Sequence, residues 1–218
     1  MQRLIVTSDG SHTIYIPELN EHYHSVHGAI QESEHIFIET GFKTCAGSSL
    51  SILEIGFGTG LNAFLTALEA EKNCTKVNYT TIEKYPLGDH MVNSLNYASI
   101  LGSGSNALFT SLHSSPWNVK IGITDCFTLE KIDGDLTSIN LSGMYDLIYF
   151  DAFGPDKQPE MWTPDVFSKV SDVTKQGGVL VTYSAKGEVK RNLRATGFDV
   201  RLLPGPPGKR QIIRAVKK

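Results

Sequence analysis

From Leu50 onward, short apolar runs alternate with longer segments in which apolar residues recur at helical spacing. Short runs rich in β-branched and aromatic residues indicate buried strands, whereas helical spacing indicates amphipathic helices. The predicted strands are Ser51–Ile55, Val77–Glu83, Val119–Thr124, Tyr145–Asp151 and Val179–Tyr183. The predicted helices are Leu61–Glu71, Leu87–Leu101, Pro164–Thr174 and Lys186–Ala195. The segments Gly102–Trp117 and Asp133–Ser142, rich in small and polar residues, predict surface loops.

The order of these elements predicts an α/β fold. Strands separated by helices need crossover connections, so their sheet is parallel and covered on both faces. The last two strands, Phe198–Leu203 and Gln211–Val216, are instead joined by the short turn Pro204–Gly208, which fits only an antiparallel hairpin. A mostly parallel sheet that ends in an antiparallel C-terminal hairpin is typical of the Rossmann-like sheet of class I methyltransferases.

The first 48 residues follow a different pattern. Arg3–Thr7 and His12–Ile16 alternate apolar and polar residues around the turn Ser8–Ser11, which predicts a β-hairpin. A polar stretch, Glu18–Glu34, follows and is rich in histidine. We therefore expect residues 1–48 to form an N-terminal extension packed on a main domain of residues 49–218. No acid or thiol completes a metal-ligand set with these histidines, so no metal is expected.

Composition fits one globular domain of a cytoplasmic protein. The chain has 218 residues, 40% hydrophobic and 20% charged, and no apolar run long enough to span a membrane. Its three cysteines suggest neither a disulfide framework nor a zinc site. Residues 186–218 hold ten Lys or Arg and two acids, a net charge of +8 that leaves −11 for residues 1–185. Either an anion-binding surface or a solvated helix and hairpin explains this asymmetry.

The strongest local signal is a glycine-rich turn between a strand and a helix, Leu53-Glu-Ile-Gly-Phe-Gly-Thr-Gly-Leu-Asn62. Gly56, Gly58 and Gly60 let the backbone turn sharply and approach a ligand closely. The spacing G-x-G-x-G differs from the dinucleotide fingerprint, and Glu54 would repel a pyrophosphate but attract a cationic cofactor. These features favour S-adenosyl-L-methionine. A tight turn that binds nothing is the alternative.

Acids near the ends of the next two predicted strands extend this site. Glu83 ends the second strand, where an acid can accept hydrogen bonds from the ribose hydroxyls. Asp125 follows the third predicted strand, with Cys126 beside it, and is placed to accept from the adenine amine. A solvated strand end is the alternative for Glu83, and a helix N-cap is the alternative for Asp125.

A rigid loop follows the fourth strand, in the segment Asp151-Ala-Phe-Gly-Pro-Asp-Lys-Gln-Pro-Glu-Met-Trp162. Reacting groups of such sheets gather at the carboxyl ends of the strands, so Asp151 lies where the transferred methyl group is expected. Phe153 and Trp162 offer flat surfaces on which a base could stack. The alternative for Trp162 is that it covers the edge of the sheet.

Several of these motifs together resemble one known family, the methyltransferase component of the tRNA 5-methylaminomethyl-2-thiouridine biosynthesis enzyme. The motifs, in chain order, are Tyr23-His-Ser25, Gly28-Ala29, Glu32-Ser33, Glu54–Asn62, Glu83-Lys-Tyr-Pro-Leu87, Asp151–Pro155, Pro159–Trp162, Thr182–Ala185 and Gly208–Arg210. The resemblance covers nearly the whole chain. The chain departs from the family where Gln158 replaces the usual Asn, and the segments 102–117 and 133–142 match nothing in the family.

The resemblance implies methylation of 5-aminomethyluridine at the tRNA wobble position, with S-adenosyl-L-methionine as cofactor. It also implies that His24 and Glu32 touch the cofactor. Many family members are fused to a flavin-dependent oxidoreductase, for which 218 residues leave no room, so we expect a stand-alone methyltransferase with a separate oxidoreductase as partner. The expected cofactor-binding residues are Glu54, Gly56, Phe57, Gly58, Gly60, Asn62, Glu83, Lys84, Asp125 and Cys126. The expected substrate-binding residues are Phe153, Pro155, Trp162, Lys209 and Arg210.

Methyl transfer to an amine needs a neutral nucleophile held in line with the methyl group. We assign Asp151 to orienting the amine and accepting its proton. Lys209 and Arg210 lie in the most basic region, and we expect them to contact tRNA phosphates, with additional contacts from Lys190, Arg191 and Arg194. The alternatives are a methyltransferase of a small amine or a protein, an inactive cofactor-binding subunit and, less favoured by the glycine spacing, a nicotinamide-dependent oxidoreductase.

Overall fold

The computed structural model describes residues 2–102 and 104–218. The strands are β1 (Arg3–Val6), β2 (His12–Ile16), β3 (Glu21–His22), β4 (Ser49–Ile55), β5 (Lys76–Glu83), β6 (Lys120–Gly122), β7 (Phe127–Asp133), β8 (Tyr145–Phe150), β9 (Thr174–Thr182), β10 (Phe198–Pro204) and β11 (Gln211–Lys217). The α-helices are α1 (Ala29–Ser33), α2 (Leu61–Asn73), α3 (Asp89–Val92), α4 (Tyr97–Leu101), α5 (Ser105–Ser114), α6 (Pro164–Asp172) and α7 (Gly187–Ala195). None of these helices, within the described ranges, is both long and apolar enough to cross a membrane.

The main sheet has eight strands in the order β10-β11-β9-β8-β4-β5-β7-β6. Strands β9, β8, β4, β5 and β7 run parallel, and the hairpin β10–β11 pairs antiparallel to β9. This confirms the predicted class I methyltransferase sheet with its reversed C-terminal hairpin. Apolar side chains cover both faces, since Ile52 and Leu53, neighbours on β4, are fully buried in separate cores. Packing on both faces fixes the tips of β4, β5 and β8.

The third parallel strand is β7, and the prediction of Val119–Thr124 for this position was wrong. Only Lys120–Gly122 of that segment is a strand, an exposed one that pairs antiparallel with β7 at the edge of the sheet. The inward positions of β7 are Phe127, Leu129 and Lys131, and the lysine is only 1% exposed. A lysine at an inward position interrupts the apolar alternation from which a strand is predicted.

One helix prediction and one loop prediction were also wrong. The predicted helix Leu87–Leu101 is broken into α3 and α4 by the polar sequence around Asn93 and Asn96. The predicted loop Gly102–Trp117 contains α5, which buries Phe109 and Leu112, while Ser103 of that segment lies outside the described residues. Residues 134–142 contain no helix or strand, as predicted.

The N-terminal segment forms the predicted hairpin, which β3 extends to a three-stranded sheet. Residues 29–39 of the predicted extension are helical: α1 continues into a π-helical turn, Glu34–Glu39. Ile36, Phe37 and Ile38 of this turn are buried, and the Phe37 ring lies 5.1 Å from that of Tyr149 in β8. The extension therefore contributes to the main core, while the boundary between residues 48 and 49 stays a prediction.

Candidate active site

The glycine loop between β4 and α2 needs glycine at each of its three positions. Gly56, Gly58 and Gly60 have φ values of +91°, +49° and +72°, in the left-handed region that favours glycine. A Cβ at Gly56 would lie 2.8 Å from the carbonyl oxygen of Asp151, and one at Gly58 would lie 3.0 Å from the Tyr23 ring. The bare backbone of this loop therefore forms part of a cavity wall.

A cavity of about 990 Å³ opens at the carboxyl ends of β4, β5, β7 and β8, where ligands of such sheets bind. It is large enough for a nucleoside cofactor and part of a second substrate. Many of the predicted site residues line it: His24, Glu32, Gly56, Phe57, Gly58, Asn62, Glu83, Lys84, Asp151, Phe153, Pro155 and Lys209. The structure therefore brings the glycine loop, the ends of β5 and β8 and the C-terminal hairpin to one place.

Glu83, at the end of β5, is held by the backbone in front of the glycine loop. Its Oε2 accepts a hydrogen bond from the Gly58 amide at 2.9 Å, and its Oε1 accepts one from the Tyr85 amide at 2.8 Å. Each carboxylate oxygen keeps a further lone pair for another donor. This geometry fits an acid that receives a pair of ribose hydroxyls.

Lys84 and Asp135 lie beside Glu83 and form an ion pair, Nζ to Oδ2, at 2.8 Å. Asp135 lines the cavity and follows β7, the strand that the sequence pattern did not predict. The placement of Asp125 and Cys126 at the cofactor was wrong, because these residues precede β7 and lie at its amino end. There the Asp125 carbonyl accepts a hydrogen bond from Lys76, the first residue of β5, at 2.6 Å. The acid on the correct side of the sheet is Asp135.

Glu54 is fully buried and does not line the cavity. Its Oε2 accepts a hydrogen bond from the Thr81 hydroxyl at 2.8 Å, and burial raises the pKa of its carboxyl well above the ordinary value. The expectation that this acid faces a cationic cofactor was therefore wrong. Glu54 lies behind the cavity wall, because β4 is the central strand and its inward side chains enter the core.

Asp151 follows β8 and lines the cavity as predicted. Asn62, on the first turn of α2, donates a hydrogen bond from Nδ2 to Asp151 Oδ2 at 2.8 Å. Burial raises the pKa of Asp151 well above its ordinary value, and the hydrogen bond from Asn62 opposes that rise. A carboxylate with a raised pKa is a stronger proton acceptor, so Asp151 is suited to hold a proton released in the cavity.

The conformation of the loop after Asp151 is stabilised by a hydrogen bond between two of its own residues. The Phe153 amide donates to Gln158 Oε1 at 3.1 Å, so the residue that departs from the family pattern supports this turn. The Phe153 ring meets the edge of Tyr23 at 5.1 Å, and both line the cavity. Phe57 borders the cavity through the loop, but its ring packs on His113 and Trp117 behind it. Phe153 is therefore the aromatic surface of this loop.

Trp162 does not offer a stacking surface, so its assignment to the substrate was wrong. It is 3% exposed, does not line the cavity and packs among Phe150, Phe167 and Tyr183. Its indole Nε1 donates to the Phe153 carbonyl at 2.7 Å. Trp162 thus anchors the loop to the core and has a structural role, as the alternative interpretation of this residue had proposed.

Lys209 enters the cavity instead of lying on the free surface. Its Nζ is 3.2 Å from Glu32 Oε1 and 4.6 Å from the centre of the Tyr183 ring. Only 28% of the lysine side chain is exposed, and its predicted contact with a tRNA phosphate stays a prediction. Arg210, its neighbour, is exposed as expected, and Lys190, Arg191 and Arg194 lie on α7 with partial or full exposure.

His24 and Glu32, which the resemblance assigned to the cofactor, both line the cavity. The His24 ring makes a 2.7 Å hydrogen bond through Nε2 with the Thr59 hydroxyl of the glycine loop. Burial lowers the pKa of His24 to about 4, so the ring is neutral at pH 7. No set of residues in the described part of the chain has the grouping that a metal ion needs.

Sequence reasoning missed several cavity residues, among them Tyr23, Asp135 and Tyr183. Tyr23 and Tyr183 belong to sequence motifs on which the family resemblance depends, and those motifs could have indicated that both residues are part of the site. No sequence signal pointed to Asp135, because the strand that precedes it, β7, was not predicted. The Tyr183 hydroxyl donates to the Ala152 carbonyl at 2.8 Å and so closes the cavity behind Asp151.

Known proteins of similar sequence and structure agree with this geometry. A family model described as S-adenosyl-L-methionine-dependent methyltransferase matches residues 110–218, half of the chain. The tRNA 5-methylaminomethyl-2-thiouridine biosynthesis bifunctional protein MnmC of Ralstonia nicotianae is 32% identical over 208 residues, which cover 87% of this chain and 31% of that protein. The chain thus spans about a third of the length of such curated relatives.

Two solved structures extend the comparison. The crystal structure of MNMC2 from Aquifex aeolicus superposes with a TM-score of 0.82 and 26% identity, covering 100% of this chain and 70% of that one. Spermidine synthase from Thermotoga maritima shares the fold alone, with a TM-score of 0.57 and 14% identity over 98% of this chain and 72% of that one. The chain therefore belongs to the S-adenosyl-L-methionine-dependent methyltransferase family, in the group formed by the methyltransferase components of the tRNA 5-methylaminomethyl-2-thiouridine biosynthesis proteins.

Proposed function

We propose that the chain methylates the amine of 5-aminomethyl-(2-thio)uridine at the wobble position of tRNA, giving the 5-methylaminomethyl form. The observation that carries the proposal is the Asp151 carboxyl, which faces the cavity at the end of β8 with Asn62 as its hydrogen-bond donor. A protonated amine that enters the cavity must lose a proton before it can attack a methyl group. The printed names of the curated relatives support the choice of nucleoside.

The cavity fits the cofactor through groups of this chain. S-adenosyl-L-methionine supplies an electrophilic methyl group on a sulfonium when it is bound. We assign the ribose hydroxyls to Glu83, whose carboxylate is already held by two backbone amides. The glycine loop leaves the room that a Cβ would fill. Glu32, His24 and Lys84 line the same cavity and complete the proposed cofactor site.

Asp151 has two proposed tasks in the transfer. Its carboxylate orients the amine through a hydrogen bond and then receives the proton that the amine releases. Its raised pKa narrows the gap to the pKa of the amine, which makes this proton transfer easier. Phe153 and Pro155 line the same cavity as Asp151 and are proposed to contact the uracil ring.

The basic C-terminal region supports the tRNA as substrate. Arg210 is exposed beside the cavity residue Lys209, and Arg191 and Arg194 are exposed on α7. We propose that these side chains, together with Lys190, contact phosphates around the anticodon. Removing Arg191 and Arg194 together should weaken tRNA binding and lower the slope of its salt dependence by about 2. An unchanged slope would mean that this charge is only a solvated surface.

The deciding experiment is nucleoside mass spectrometry of tRNA incubated with the protein and S-adenosyl-L-methionine. The tRNA comes from a strain that lacks this methylation, and Asp151→Asn protein serves as the matched control. We expect 5-aminomethyl-2-thiouridine to gain one methyl group with the wild-type protein. If a free amine or a protein is methylated and tRNA is not, the result favours the alternative function, methylation of a small amine or a protein. The proposal also places the protein in the cytoplasm and needs a separate oxidoreductase to supply the amine.

A further inference from the structure

The buried carboxyl of Glu54 lies in a group of polar atoms behind the cavity. Asn62 and Tyr79 both face this carboxyl, and Thr81 donates to its Oε2. Three buried atoms in this group have no hydrogen-bond partner: Glu54 Oε1, Asn62 Oδ1 and the Tyr79 hydroxyl. Unpaired buried polar atoms are rare in folded proteins, so three around one side chain need an explanation.

The protonation state of Glu54 decides how many of these atoms can be paired. An ionised carboxylate only accepts, so it could pair with the Tyr79 hydroxyl but would leave Asn62 Oδ1, another acceptor, without a donor. A carboxyl protonated on Oε1 donates to Asn62 Oδ1 and still accepts from Tyr79. Each of the three atoms then has a possible partner within the group. The hydrogen-bond inventory therefore favours the neutral acid.

A donor at Glu54 would also fix the orientation of the Asn62 amide. When Oδ1 accepts from Glu54, the Nδ2 group is left to donate to Asp151, and the structure shows that second hydrogen bond at 2.8 Å. With both bonds formed, the Asn62 amide connects two carboxyl groups, one in the core and one in the cavity. Burial of two negative charges so close together is unfavourable, and one proton on Glu54 leaves Asp151 as the charged member.

We propose that Glu54 is a neutral carboxylic acid in the folded protein and that it positions Asp151 through the Asn62 amide. Glu54 is a positioning residue in this scheme, and the role of Asp151 rests on the proposed function. The other titratable or charged groups that face the two carboxyls are Glu32 of α1, Tyr79 of β5, Tyr149 of β8, Tyr183 after β9 and Lys209 of the C-terminal hairpin.

The test compares Glu54→Gln with Glu54→Ala and measures the pH dependence of kcat/KM for methyl transfer. The glutamine amide can donate to Asn62 and accept from Thr81, as the neutral acid does, whereas alanine can do neither. We expect Glu54→Ala to lower kcat about tenfold, as the loss of an orienting hydrogen bond predicts. Without the Asn62 bond the pKa of Asp151 rises, so the acidic limb should move roughly one unit to higher pH.

Glu54→Gln should restore most of the lost kcat and leave the acidic limb where the wild type has it. If Glu54 is ionised instead, Glu54→Gln removes a negative charge near Asp151, and the limb moves to lower pH. Such a shift overturns the proposal. Failure of Glu54→Gln to fold, judged by thermal unfolding, also overturns it, because a neutral side chain of equal size should be tolerated.

A spectroscopic measurement separates this inference from the proposed function. Infrared difference spectra of wild type and Glu54→Gln at pH 7, with no cofactor or substrate, should show the carbonyl band of a protonated carboxylic acid in the wild type only. Absence of that band refutes the neutral acid. If the band is present while tRNA is not methylated, the proposed function fails and the assignment of the proton to Glu54 stands.

Discussion

The buried lysine on β7 gives the sharpest stability prediction. Lys131 is 1% exposed, and its Nζ donates to the His113 carbonyl at 2.7 Å. The ammonium lies 4.8 Å from the centre of the Trp117 ring and 5.5 Å from that of Phe57. No acidic residue within the described ranges forms a salt bridge with Lys131. Burial lowers the pKa of Lys131 from 10.5 to about 8.

That depression has a direct thermodynamic meaning. Between pH 8 and 10.5 the unfolded chain binds a proton at this lysine that the folded protein has released, so stability rises with pH across this window. Below pH 8 the full penalty of the buried charge remains. A shift of this size corresponds to about 3 kcal/mol, and attraction to the two rings offsets about 1 kcal/mol of it.

Lys131→Met replaces the lysine with an uncharged chain of similar shape and should remove the penalty. We expect the variant to be more stable than the wild type by about 2 kcal/mol at pH 7, and the advantage to fall by most of that amount at pH 10. Urea unfolding at both pH values measures the difference. Lys120→Met, at an exposed position on β6, is the matched control. A difference between Lys131→Met and wild type that stays constant from pH 7 to 10 would refute the reasoning.

Three further predictions concern the site. Gly56→Ala should abolish binding of S-adenosylhomocysteine in calorimetry, because its Cβ would meet the Asp151 carbonyl at 2.8 Å, whereas Gly88→Ala, with open space around it, should bind normally. Asp151→Ala should reduce kcat at least a hundredfold and change cofactor affinity little, measured by kinetics beside calorimetry, and an equal loss of both would reject its proposed role. Trp162→Ala should lower the free energy of unfolding by about 3–5 kcal/mol because the indole is in the core. Trp162→Phe should recover most of that stability, and a full-stability Trp162→Ala protein would contradict the packing argument.

The parts of the site that could be predicted from sequence depend on short, local signals. The glycine loop can be recognised because its backbone conformation excludes most other residues. Asp151 can be recognised because it directly follows a buried apolar strand. Glu83 could be placed for the same reason. These positions follow from strand order and chain direction, which an alternating pattern of strands and helices already determines.

The errors came from side chains whose surroundings are set by distant parts of the chain. Lys131 made an inward strand position look polar, and the loss of that strand placed Asp125 at the wrong end of the sheet. Glu54 and Trp162 were judged by charge and shape, but packing from both faces of the sheet buries them. The ion pair between Lys209 and Glu32 could not be predicted either, because it joins residues far apart in sequence.

That ion pair, between a helix near the amino terminus and the last hairpin, has a consequence for biosynthesis. The same two regions also meet where His35 Nε2 lies 2.9 Å from the Pro204 carbonyl and where Gly208 passes against the His27 ring. In the sheet, β11 is inserted between β9 and β10, which are both made before it. A growing polypeptide on the ribosome therefore cannot close the cavity until residues up to about 217 have emerged. The cofactor therefore cannot assist the early stages of folding, because its cavity is complete only after β11 has paired with β9 and β10.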